Sequence, residues 1–129
     1  MDKAIELEPN NAHIYDNRGW AYRKLGQYEK AIADFDKAIE LDPNDAKTYY
    51  NRAVAESNMG LDEPAIADFD KAIEIAPDWA PPYYDRALAY KSLKNRDKAM
   101  ADFEKALSLA GDYADFADMV QKAIDNYGD

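Results

Sequence analysis

The side chains best equipped for chemistry come at regular intervals. Arg18, Arg52 and Arg86 stand 34 residues apart, and so do Asp34, Asp68 and Asp102. A guanidinium beside a carboxylate can hold an anion, polarise a carbonyl or simply form an ion pair. Gly26 lies midway, eight residues from Arg18 and eight from Asp34. An antiparallel hairpin turning at Gly26 therefore sets the two side chains opposite each other. A repeated structural ion pair is the reading, with a functional arginine as its alternative. Other chemistries lack their parts. His13 is the single histidine and there is no cysteine, so a His-dependent triad, a multi-histidine metal site and a zinc-thiolate site cannot be assembled. The five glycines form no phosphate-cradling loop. Carboxylates spaced beside lysines, such as Asp68 near Lys71, read as a solvated face. The expectation is a protein that is not an enzyme and needs no cofactor or metal.

Those residues must be carried by a folded framework. A chain of 129 residues with 47% hydrophobic and 33% charged residues is one domain's worth and suits a helix-rich fold with a real core. Its formal charge of −10 argues against nucleic acid, which demands a basic face. No apolar run is long enough for a membrane span. The opening Met1-Asp2-Lys3-Ala4-Ile5-Glu6 has no basic start leading into an apolar stretch, and a cytoplasmic setting is the expectation.

The strongest signal is internal repetition. Ala31-Ile-Ala-Asp-Phe-Asp-Lys-Ala-Ile-Glu40 returns unchanged as Ala65 to Glu74, and a third copy runs from Ala99 to Ser108, each at a step of 34 residues. Within the step, unit one reads Tyr15, Arg18, Gly19, Tyr22, Gly26, Tyr28, Ala31, Phe35, Ala38 and Pro43. Unit two gives Tyr49, Arg52, Ala53, Gly60, Ala65, Phe69, Ala72 and Pro77; unit three gives Tyr83, Arg86, Ala87, Tyr90, Ala99, Phe103 and Ala106. This pattern resembles the tetratricopeptide-repeat (TPR) family across nearly the whole chain. The resemblance implies an all-α, right-handed superhelix of antiparallel helix hairpins.

Apolar or small residues at three- and four-residue spacing predict six helices. They pair as Asn11–Leu25 with Tyr28–Leu41, Asp45–Met59 with Asp62–Ile75, and Trp79–Leu93 with Arg96–Leu109. Pro64 is tolerated in a first helical turn, Pro81-Pro82 should shift the start of the third unit's first helix by a residue or more, and Gly111 in place of a closing proline should loosen the last connection. Asp2 to Pro9 matches Asp36 to Pro43 at all but one position, so the opening reads as the tail of a preceding repeat in a longer array. The chain then divides as a tail over 1–9, repeats over 10–43, 44–77 and 78–111, and a capping helix over 112–129.

In the family, the first helix of each unit lines a concave groove. Carrying its groove-facing places over by resemblance gives His13, Asp16, Asn17, Trp20, Arg23 and Lys24 in unit one. Unit two supplies Lys47, Tyr50, Asn51, Val54, Ser57 and Asn58; unit three supplies Pro81, Tyr84, Asp85, Leu88, Lys91 and Ser92. Trp20, Tyr50, Val54, Tyr84 and Leu88 would present large apolar surface there, in residue types that include those favoured as binding hot spots. Arg23, Lys24, Lys47 and Lys91 against Asp16 and Asp85 leave the groove at +2 on a chain of −10. The expected ligand is an extended or helical segment of another protein, with apolar and acidic residues. Asn17, Asn51 and Asn58 could bond its backbone, whereas Tyr15, Tyr49 and Tyr83 read as packing residues and His13 as an exposed residue near a helix start.

Some TPR domains grip the C-terminal carboxylate of heat-shock chaperones with lysines, asparagines and an arginine. The corresponding places here hold Asp16, Trp20, Asn51, Pro81 and Asp85, and only Asn51 fits, so the resemblance stops short of that clamp. Two rival readings stay open: a module that self-associates through an uncovered N-terminal end, and an accessory domain of a larger protein.

Overall fold

A computed structural model describes residues 2–127; residue 1 of the expected opening segment and residues 128 and 129 of the expected last one lie outside them. Eight helices and no strands occur among the described residues: α1 (Asp2–Leu7), α2 (Ala12–Lys24), α3 (Tyr28–Leu41), α4 (Ala46–Asn58), α5 (Asp62–Ile75), α6 (Pro81–Ser92), α7 (Arg96–Leu109) and α8 (Ala114–Asp125). Three hairpins, α2/α3, α4/α5 and α6/α7, stack so that each second helix also packs on the first helix of the next, and α7 packs on α8. The all-α solenoid is therefore as the repeat implied.

Sequence chemistry accounts for the ends of these helices. Asn11 and Asp45 accept from the amides of His13 and Lys47, both at 3.0 Å, which satisfies a donor that has no intrahelical partner. Two prolines at the start of α6 remove such donors instead, and α6 has no side-chain cap. Its start is delayed to Pro81, one place later in the repeat than Ala12 and Ala46. Within the first two hairpins the turn residues Gly26 and Gly60 adopt φ +77° and +78°, which only glycine adopts without a Cβ clash. The third hairpin has no glycine there, and Lys94 is forced to φ 62°.

The core repeats as the sequence does. Phe35, Phe69 and Phe103 are each fully buried, surrounded by alanines such as Ala31, Ala65 and Ala99 that let the helices approach. Burying one phenylalanine is worth about 1.5–3 kcal/mol. The approach is close enough that a Cβ at Gly19 would lie 2.7 Å from the Phe35 ring. Tyr15, Tyr49 and Tyr83 donate to the carbonyls of Pro9, Pro43 and Pro77 at 3.0, 2.9 and 2.8 Å. Each tyrosine thus ties a first helix to the turn that enters its unit.

Candidate functional site

The repeated arginines take up structural positions. Arg18 Nε and Nη2 donate to Asp34 at 2.8 and 2.7 Å, and the same two-point pairing joins Arg52 to Asp68 and Arg86 to Asp102. Arg52 and Arg86 also reach back to Asp36 and Asp70 of the preceding hairpin at 2.9 and 2.7 Å. Their own hydrogen-bonded carboxylates, Asp68 and Asp102 first, hold both guanidiniums charged. These pairs lock one hairpin to itself and to its neighbour, a role in specifying geometry more than in adding net stability.

The helices α2, α4 and α6 lie side by side and carry every residue carried over from the family's groove. His13, Asn17, Trp20, Lys24, Lys47, Leu88 and Lys91 are exposed along them, Arg23, Tyr50, Val54 and Tyr84 are half-buried, and Asn51 is buried. Trp20 is 44% exposed with the Lys24 ammonium 4.9 Å from its ring centroid, a cation held against an aromatic face. Val54 of α4 and Leu88 of α6 line one cleft at the seam between these helices. They line it with Ser57, Asn58, Asp62, Asp85, Ala89 and Ser92 around an open volume of about 280 Å³, floored by Phe69. His13 and Lys47 stand apart from this cleft, at the starts of α2 and α4.

Two further contacts follow a spacing of 35 residues, which the repeat of 34 conceals. Asn51 donates to Asp16 at 3.3 Å between α2 and α4. One junction along, Tyr50 donates its hydroxyl proton to Asp85 between α4 and α6. The same pair of places is thus used twice with different chemistry. Burial pushes the Asp16 carboxyl up, against the opposing hydrogen bond from Asn51. It does the same to Asp85, against the Tyr50 hydroxyl and the charge of Arg23. Burial first, then the Asp85 charge, holds the Tyr50 phenol neutral. The Tyr50 ring also packs on Phe69 and Trp79, with centroids 5.9 and 5.1 Å apart, and Tyr84 packs on Phe103 and Phe116 at 5.7 and 5.9 Å. Both tyrosines therefore hold the solenoid together as well as contributing to its face. Arg23 Nε and Ser57 Oγ are buried on this face with no hydrogen-bond partner. No group of histidine, cysteine, aspartate and glutamate side chains among the described residues is arranged to hold a metal ion, and none of their helices is long and apolar enough to cross a membrane.

Comparison with known proteins places this architecture. Three tetratricopeptide-repeat models match residues 1–33, 46–78 and 80–113, and a TPR-repeat model matches residues 19–60. Comparison with curated proteins gave no match. Among solved structures, the Arabidopsis OM64 TPR domain is similar at 29% identity with a TM-score of 0.81, covering 91% of this chain and 96% of that one. MamA is similar at 25% identity and a TM-score of 0.80, covering 98% of this chain and 81% of that one. The second TPR of Spaghetti (RPAP3), bound to the HSP90 peptide SRMEEVD, shares 30% identity with a TM-score of 0.75, covering 77% of this chain and 92% of that one. With the repeat models covering nearly all of it and its helices stacked as in those domains, the chain belongs to the tetratricopeptide-repeat family.

Proposed function

We propose that this chain is a protein-binding scaffold, without catalytic chemistry of its own, which takes a segment of another protein along the α2–α4–α6 face. The observation that carries the reading is the cleft where Val54 and Leu88 converge with Ser57, Asn58 and Ser92. An apolar side chain of the partner would enter between Val54 and Leu88, while the surrounding hydroxyl and amide groups bond its backbone. Trp20 supplies a second apolar contact, and Arg23, Lys24 and Lys91, outside that cleft and its carboxylates Asp62 and Asp85, favour acidic residues flanking the apolar one. The rigid helices of this face reduce the ordering cost of binding. The peptide bound to the second TPR of Spaghetti (RPAP3) combines methionine with acidic residues, which supports a ligand of this general class. That particular peptide is not the ligand inferred here. The one clamp place that fits by residue type, Asn51, is buried and committed to Asp16, and Asp85 is committed to Tyr50.

The test is a peptide-library screen on the parent chain beside Trp20→Ala and Leu88→Asp variants. Both residues are exposed, so neither change opens the core, whereas Tyr50→Ala or Tyr84→Ala would remove ring packing and confuse binding with stability. Selection of one apolar–acidic motif by the parent, lost in the still-helical variants, supports the groove. Equal selection by all three proteins, or none by any, rejects it.

A further inference from the structure

A second cleft lies at the other edge of the stack, where the turn entering α6 meets the turn entering α8. Its volume is about 730 Å³, and its walls include Trp79, Tyr113 and Phe116. Tyr113 is 79% exposed, with its aromatic surface in solvent. Three carboxylates, Asp78, Asp112 and Asp115, complete the lining, and no lysine, arginine or histidine contributes to it. None of the three is used as a helix cap, since neither α6 nor α8 has a side-chain cap bond, and none forms a side-chain ion pair within the described residues. Aromatic faces attract a cation through their quadrupoles, and uncommitted carboxylates attract it through charge.

We propose that this cleft docks a basic segment of a partner protein, a lysine or arginine flanked by apolar residues. The charge of the lining selects the sign of the ligand, and the aromatic walls select a cation with an apolar stem over a bare ion. A volume of this size admits a short segment rather than one side chain. The preference is opposite to that of the α2–α4–α6 face, and the proposal does not depend on that face: Trp20 and Leu88 line no part of this cleft.

The test uses two capped pentapeptides, acetyl-Leu-Arg-Leu-Lys-Leu-amide and the same peptide with glutamates replacing its basic residues, followed by the indole N–H resonance of Trp79. The basic peptide should shift that signal saturably, and raising salt from about 50 to about 300 mM should weaken it as the charges are screened. An Asp78→Asn/Asp112→Asn/Asp115→Asn variant should bind at least about fivefold more weakly, and Tyr113→Ala should also weaken binding with helicity unchanged. Equal binding of the acidic peptide, indifference to salt, or full affinity in the asparagine variant would overturn the proposal. So would shifts confined to Trp20, or no saturable shift up to about millimolar peptide. A Trp79 shift that depends on protein concentration without peptide would assign the cleft to a second copy of this chain and also overturn it.

Discussion

Glu56 is the sharpest place to test the packing logic. It occupies the place in α4 that Tyr22 holds in α2 and Tyr90 holds in α6. In those units the arginine lies near the tyrosine ring, with Arg18 5.7 Å from the Tyr22 centroid and Arg86 5.9 Å from that of Tyr90. In unit two a carboxyl is inserted instead. Burial, then a hydrogen bond and the charge of Asp68, push Glu56 up to about 8, with Asp36 adding to the effect and only Arg52 opposing it. Its Oε1 is buried with no hydrogen-bond partner. The physical picture is three carboxyl groups around one guanidinium, and the third holds its proton, which it can donate to Asp68.

The consequence for stability has a definite sign. The folded state binds the Glu56 proton more tightly than the unfolded chain, whose value is 4.5. Stability from this group is complete below pH 4.5 and declines as pH rises toward 8, because folding must then take up a proton. At about 1.4 kcal/mol per pH unit the full shift corresponds to nearly 5 kcal/mol, and partial solvent access reduces this to about 2–3 kcal/mol. Glu56→Gln removes the titration and keeps the shape. Urea denaturation of both proteins at pH 5 and pH 8.5 should show the parent losing about 2–3 kcal/mol more than the variant across that interval. Glu56→Tyr, which restores the residue of the other units, should gain about 1–2 kcal/mol at pH 8.5. Parallel profiles for parent and Glu56→Gln would refute the reasoning, because Glu56 would then be ionised and fully paired in the folded state.

Three further outcomes follow from single contacts. Gly19→Ala should cost about 1–3 kcal/mol, read by urea denaturation, because its new methyl would meet the Phe35 ring at 2.7 Å. Lys94→Gly should stabilise by about 1 kcal/mol, read by thermal unfolding, because φ 62° strains any residue with a Cβ. Tyr49→Phe should cost about 0.5–1.5 kcal/mol by loss of the bond to the Pro43 carbonyl, with helicity and any peptide binding unchanged.

The framework was legible because it repeats. Arg18, Arg52 and Arg86 could be paired with Asp34, Asp68 and Asp102 from distance to the turn alone, since a hairpin of two straight helices fixes which residues face each other. The six main helices were readable within a residue or two at each end, for the same periodic reason. The strain at Lys94 was also open to inference, as the third unit lacks the glycine of the other two.

The contacts between neighbouring first helices were not legible, and the reason is physical. A bond between neighbouring first helices joins places that differ by 35 residues, and the two junctions fill them with Asp16–Asn51 and Tyr50–Asp85. A pair that changes its chemistry at every junction leaves no periodic trace. Tyr50 and Tyr84 consequently read as free groove aromatics, whereas both are half-buried, Tyr50 against Phe69, Trp79 and Asp85 and Tyr84 against Phe103 and Phe116. Trp79 reads in the sequence as the first residue of the third unit's first helix; it lies instead in the connection ahead of Pro81, where its ring packs on Tyr50 and forms part of the acidic edge cleft. Recognition in a repeat protein must come from what the units do not share, because shared residues are already spent on folding. Repeat averaging therefore reveals the scaffold and erases the site, and only the packed structure can show which of the unshared residues converge.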